Sequence, residues 1–277
     1  MKHIIPLYIL LCILLVSCGF DAAPTESDVL TEESSAAEMF VPTTVPETVL
    51  PTERPTEDVP YFPSGNFCSE FISSSDYAMD YWLFVPKNAL PQMPLVIFLH
   101  GIGEVGHVDA LENDGPMVSA REIYGDTFPF IALYPNSKIE SWLTDPVPET
   151  LMELIESVVC AYSIDTEHII ITGHSLGAIG TWNMISSYGD YFSAAVPVSC
   201  GCDALLDFAS CAKVPIWAFV GDSDAFEPKY EAGMRRLLYN INQQDGDCRI
   251  TILTGDDHEK TKISAYTVET FQWMLSQ

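Results

Sequence analysis

Basic residues are scarce in this chain. Twelve Lys and Arg stand against 39 Asp and Glu in 277 residues, a formal net charge of −27. Binding to nucleic acid phosphates needs a cationic surface, and so does docking on anionic lipid, so both are excluded as expected partners. Metal-ligand spacing is lacking too. No Cys-x-x-Cys pair occurs, and no histidine stands close to the cysteines, which argues against a structural zinc site. Long apolar runs are absent after the first residues. The run Ile4 to Val16 is shorter than the roughly 20 residues that span a bilayer. Histidine is thinly used, with six in all, and His258 is the only one after residue 175.

What the chain does have is a hydrophobic content of 48%, enough for a sizeable core, and one stretch around which the rest is organised. The β-branched run Ile169 to Ile171 leads into Thr172, Gly173, His174, Ser175, Leu176 and Gly177, and then into a helix-prone segment. Strand, tight turn and helix around Gly173-x-Ser175-x-Gly177 form a nucleophile elbow. A turn this sharp exposes the Ser175 hydroxyl. Side chains at Gly173 or Gly177 would strike the neighbouring strand or helix. The amide of Leu176 opens the new helix and points to where an oxyanion would form.

An elbow of this kind needs an oxyanion loop upstream, then an acid and a histidine downstream. The continuous apolar run Leu95 to Leu99 reads as a strand buried on both faces. It ends in the glycine-rich loop His100 to Gly106, whose amides can approach a ligand closely. Ile102 is expected to supply the second oxyanion amide, with His100 and Gly101 beside it and His174 and Trp142 as further substrate-contacting candidates. His100 is more naturally a hydrogen-bonding brace for the loop than a general base, and Trp142 either lines a cleft or caps the core. Val214 to Val220 is another buried strand, and the acids Asp222 and Asp224 follow its carboxyl end, the ligand side of a sheet. Asp224 is preferred as the triad acid and Asp222 as turn chemistry. His258 is the base. In this arrangement Ser175 attacks a carbonyl, His258 carries the proton, Asp224 fixes the imidazole, and no metal or organic cofactor is required.

The remaining elements fit the same plan. Phe67 to Ser73 and Met79 to Val85 read as a hairpin, and Phe128 to Tyr134, Phe192 to Val198 and Cys248 to Leu253 as further strands. Helical spacing marks Glu149 to Tyr162, Leu176 to Tyr188, Glu227 to Asn242 and Ile263 to Leu275. Strands alternating with helices imply an α/β domain with a doubly wound, mostly parallel sheet flanked by helices. Cys200 to Lys213 is too short for a large lid domain.

Residues 61–277 are therefore read as the catalytic domain. Residues 18–60 form an acidic linker rich in Thr and Pro, with ten Asp and Glu against one Arg between Phe20 and Pro60. Such a composition buries little apolar surface and repels itself. Residues 1–17 are a signal peptide. Its end, Leu15 to Gly19, resembles the lipobox of bacterial lipoproteins. That resemblance implies lipidation at Cys18 and a protein exported and anchored on the outer face of the membrane. After Cys18 six cysteines remain: Cys68, Cys160, Cys200, Cys202, Cys211 and Cys248. In an oxidising compartment they could pair in 15 ways or stay as thiols. The local candidate is Cys211 with Cys200 or Cys202. Oligomeric state is not legible.

With these residues in place the domain resembles the α/β-hydrolase superfamily, and within it the polyhydroxybutyrate-depolymerase-like and feruloyl-esterase-like enzymes. The matching stretches are Tyr81–Pro86, Pro94–Gly101, Tyr162–Asp165, Ile171–Gly177, Gly180–Trp182 and Val214 through Pro228. The resemblance implies a serine esterase acting on short acyl or aryl esters, including those carried on plant cell-wall polysaccharide. The chain departs from the family at the elbow, where His174, Leu176 and Ala178 replace the usual Leu-Ser-Met-Gly-Gly pattern. It departs again after the base, where Glu259 and Lys260 stand in place of an aromatic. These changes bear on the pocket walls more than on the triad. A prolyl-oligopeptidase-like peptidase is a competing reading, weakened by the lack of a propeller domain. A binding protein on a hydrolase scaffold is another, and ester turnover abolished in a Ser175 variant separates both from the esterase.

Overall fold

A computed structural model describes residues 62–202, 206–225 and 229–277. The signal segment, Cys18, the linker and Glu227, where the helix running to Asn242 was expected to begin, lie outside them. Eight strands form one sheet: β1 (Gly65–Ile72), β2 (Ala78–Val85), β3 (Leu95–Leu99), β4 (Ile131–Asn136), β5 (Ile169–His174), β6 (Ala194–Val198), β7 (Ile216–Gly221) and β8 (Cys248–Leu253). Their spatial order is β1-β2-β4-β3-β5-β6-β7-β8. The hairpin β1/β2 and the pair β2/β4 are antiparallel, and every other neighbour is parallel.

The parallel strands are apolar throughout because both faces are covered. In β3 all five residues are buried. Leu95, Ile97 and Leu99 join one core, and Val96 and Phe98 join the other. The first core is closed by α2 (Val147–Tyr162), α3 (Leu176–Tyr188), the short α4 (Phe208–Cys211) and α5 (Lys229–Asn242). The second is closed by α1 (Gly115–Tyr124) and α7 (Val268–Met274), with Ala265 and Tyr266 from the link between α6 (His258–Ser264) and α7. From β3 the chain proceeds to β4 on one side, whereas β5 lies on the other. This reversal is the switch point at which ligands meet open α/β sheets, outside the carboxyl ends of the strands.

Two parts differ from the sequence expectation. Helix α1 was not anticipated. It opens with Gly115 at φ 52° and Pro116 in its first turn, a start that suits proline but offers no side-chain cap to signal it. The single C-terminal helix expected over Ile263 to Leu275 is two helices. Between them Tyr266 turns into the core, where its hydroxyl meets Thr172 Oγ1 at 2.7 Å, and Thr267 Oγ1 caps α7 by accepting from the Thr270 amide at 3.2 Å. The thiol of Cys211 is free and buried, so the small-loop bridge considered for it is not formed. Among the described residues no helix is long and apolar enough to cross a membrane.

Candidate active site

Ser175 is the single residue between the end of β5 and the start of α3. Its backbone stands at φ 56° and ψ −116°, a region that costs a non-glycine residue about 1–3 kcal/mol. The neighbouring elements hold it there. The Ser175 amide donates to the Val198 carbonyl at 2.9 Å, tying the elbow to the end of β6. A Cβ on Gly173 would lie 2.2 Å from the Gly177 carbonyl oxygen, and one on Gly177 would lie 1.8 Å from that of Leu99. Only glycine lets strand, turn and helix approach this closely.

Asp224 and His258 arrive from the ends of β7 and β8. The His258 Nδ1–Asp224 Oδ2 distance is 2.6 Å and the His258 Nε2–Ser175 Oγ distance 2.9 Å. With Nδ1–H donating to the carboxylate, Nε2 accepts from the serine hydroxyl. The Asp224 side chain is fully enclosed, whereas His258 retains 19% exposure, so the imidazole faces the solvent side of the pair. Asp222 is occupied otherwise. Its Oδ1 accepts from the Gly255 amide at 2.7 Å and the Ser223 hydroxyl at 3.1 Å, which shapes the turns on either side of the site.

The backbone of His258 is also fixed. Its carbonyl accepts from His174 Nε2 and from Thr261 Oγ1, both at 2.7 Å. Thr261 Oγ1 is in turn 2.5 Å from Ser199 Oγ. His174 therefore packs against the His258 ring, at 4.6 Å between ring centroids. Burial, reinforced by the neighbouring His258, pushes its pKa down to about 3, so it is a neutral donor at physiological pH.

The upstream loop lies against the elbow. A Cβ on Gly101 would be 3.6 Å from Ser175 Cβ, and Ile102 opens a 3-10 turn over Ile102–Glu104 with its side chain exposed. His100 is fully buried beneath this loop. Its Nε2 accepts from the Ser137 amide at 3.0 Å, so Nδ1 carries the proton and donates to the Gly101 carbonyl at 2.6 Å. Burial lowers its pKa to about 4. Trp142, also buried, donates from Nε1 to the His100 carbonyl at 3.1 Å and meets the His100 ring edge-on. Of the substrate-contacting candidates, the structure brings Gly101 to the serine. His100, His174 and Trp142 are buried, and both ring nitrogens of His100, Nε2 of His174 and Nε1 of Trp142 are committed to backbone partners.

Tyr230, near the start of α5, is a neighbour that sequence reasoning missed. Its ring centroid lies 5.8 Å from that of His258. It supplies, from a distant helix, an aromatic beside the base where the sequence directly after His258 has none. Among the described residues no group of three or more His, Cys, Asp or Glu is placed to hold a metal ion.

An elbow serine, an enclosed acid–histidine pair and a glycine loop on a mostly parallel eight-stranded sheet define the α/β-hydrolase fold. A solved thermostable esterase superposes with a TM-score of 0.67 at 27% identity, covering 76% of this chain and 63% of that one. The acetyl xylan esterase from Aspergillus awamori superposes with a TM-score of 0.60 at 16% identity, covering 76% of this chain and all of that one, a likeness of fold. By sequence the chain is 25% identical over 136 residues to acetylxylan esterase A of Aspergillus awamori, covering 44% of this chain and 43% of the relative. It is 28% identical over 131 residues to poly(3-hydroxyalkanoate) depolymerase C of Paucimonas lemoignei, covering 42% and 30%. It is 25% identical over 124 residues to the bifunctional acetylxylan esterase/xylanase XynS20E of Neocallimastix patriciarum, covering 43% and 18%. The matches thus span less than half the length of these curated relatives. No family model matches the chain.

Proposed function

We propose that the domain is a serine carboxylic-ester hydrolase that works through an acyl-enzyme. The observation that carries this reading is the continuous relay Ser175–His258–Asp224, at 2.9 and 2.6 Å, on an elbow whose serine has positive φ. His258 Nε2 takes the Ser175 proton as Oγ attacks the ester carbonyl, and then returns it to the departing alkoxide. Asp224 holds Nδ1–H and stabilises the imidazolium. The amides of Leu176 and Ile102 receive the oxyanion, as the start of α3 and the 3-10 turn beside Gly101 allow. Water activated by His258 then releases the acid and restores the serine.

The substrates in this reading are short acyl or aryl esters, including esters on carbohydrate. The acetylxylan esterase and depolymerase relatives support it. The chain is read as exported and held outside a bacterial membrane by lipid on Cys18, which rests on the residues Leu15 to Gly19 alone. The test is turnover of p-nitrophenyl acetate, p-nitrophenyl butyrate, methyl ferulate and acetylated xylan by the full chain beside Ser175→Ala. Turnover that disappears in the variant is the expected result. Equal trace activity in both proteins overturns the esterase reading.

A further inference from the structure

Lys262 carries a positive charge on a largely enclosed side chain, which lysine seldom does unless paired. It sits one helical turn after His258 on α6, with a side chain 18% exposed. Its Nζ lies 3.2 Å from Asp114 Oδ1, 3.5 Å from Glu104 Oε1 and 3.3 Å from Glu259 Oε2. Asp114 and Glu104 are themselves enclosed, at 6% and 17%, whereas Glu259 is largely in solvent. The three elements that meet here are distinct. Glu104 closes the 3-10 turn whose first residue is Ile102. Asp114 precedes α1. Lys262 belongs to the helix that begins with the base.

Burying such a cluster adds little net stability, because desolvation offsets the attraction. The cluster is also unbalanced. Two enclosed carboxylates share one enclosed ammonium, and among the described residues Asp114 Oδ2 has no hydrogen-bond partner. Without the ammonium the carboxylates would repel each other, and Glu104 stands on a 3-10 turn with no buried residue to hold it. The Glu104 backbone is held from the other side, where its carbonyl accepts from Asn136 Nδ2 at 2.7 Å. The loop is therefore pinned at both faces, to β4 by Asn136 and to α6 by Lys262.

We propose that Lys262 is a positioning residue that ties the oxyanion loop, through Glu104, to the helix bearing His258. It sets the distance between the oxyanion amide of Ile102 and the base, and so acts on the transition state without touching it. This rests on the esterase reading given above. In Lys262→Met, kcat for p-nitrophenyl acetate is expected to fall about 10- to 100-fold, the effect of a displacement of about 1 Å at a reacting centre, with KM changed less than about twofold. Lys262→Arg, which keeps the charge, recovers most of the loss. Glu104→Gln, which keeps the shape, produces the same kind of loss, and the double variant is no worse than Lys262→Met alone, since both break one link. A Lys262→Met enzyme with kcat within twofold of wild type, or additive losses in the double variant, overturns the proposal. Hydrogen exchange gives a readout independent of turnover. Amides of residues 101–107 should exchange faster in Lys262→Met while those of Leu95–Leu99 do not. Unchanged exchange in the loop overturns the link whatever esters the wild type cleaves, and absence of hydrolysis by the wild type overturns the esterase reading instead.

Discussion

The two halves of the site are held by different means. The nucleophile half is fixed by main-chain sterics. Gly173, Ser175 and Gly177 are neighbours in sequence, and the closest approaches around them are to backbone atoms. The acid–base half is fixed by side-chain hydrogen bonds between distant segments. Asp224, His258, His174, Thr261 and Ser199 come from four different parts of the chain and hold each other through single contacts of 2.5 to 2.7 Å. The comparison teaches that one half can be disturbed only by adding atoms, whereas the other is disturbed by removing them.

Removal is the sharper test, and the largest effect should come where the halves meet. Ser175→Ala keeps the strained backbone and deletes the hydroxyl, so kcat should drop by about 10⁶-fold with little change in melting temperature, read by steady-state turnover and thermal unfolding. Next comes Asp224→Asn, which presents the wrong donor to His258 Nδ1. A loss of about 10⁴-fold in kcat is expected. Asp222→Asn, altering only the turn beside it, should cost less than about tenfold, and equal losses in the two variants would reverse the assignment of the acid.

Adding an atom to the rigid half is the third test. Gly177→Ala would drive a Cβ against the Leu99 carbonyl of a central strand. Urea unfolding should show a loss of about 4 kcal/mol or more, the scale of unrelieved overlap in a core. A loss under about 1 kcal/mol would mean that the elbow is held by something other than sterics. The smallest effect, that of a single buried histidine, concerns acid. His100 and His174 are buried neutral, with pKa values lowered to about 4 and about 3 from an ordinary value of 6.5. The unfolded chain therefore binds more protons than the folded one below about pH 6.5. Stability should fall as pH drops from there towards about 4, by roughly 3 kcal/mol for His100, and His174 adds to the slope. Thermal melts across that range should slope less in His174→Gln than in wild type.

The same contrast explains what could be read without coordinates. The elbow, the buried runs of β3 and β5 and the meeting of Ser175 with a later Asp and His are legible because they depend on neighbouring residues and on rules of strand and turn. So is the preference for Asp224 over Asp222, which follows from their offsets after β7. Helix α1 was hidden by its brief apolar pattern and uncapped start. The break at Tyr266 was hidden because what decides it is a hydroxyl contact with Thr172, 94 positions away. Trp142, His100 and His174 carry the residue types of a binding site, but burial commits Trp142 Nε1, both His100 nitrogens and His174 Nε2 to backbone partners. The Glu104–Lys262 contact bridges 158 positions, and no local pattern announces it.

The separation between the two halves has a consequence in time. A growing chain completes the elbow by residue 177, but the imidazole that acts on Ser175 comes 83 positions later. Until that segment is made and α6 has packed, the strained serine is an ordinary alcohol with no proton acceptor beside it. On the proposed mechanism an unfinished chain therefore carries no activated nucleophile until the His258 helix docks.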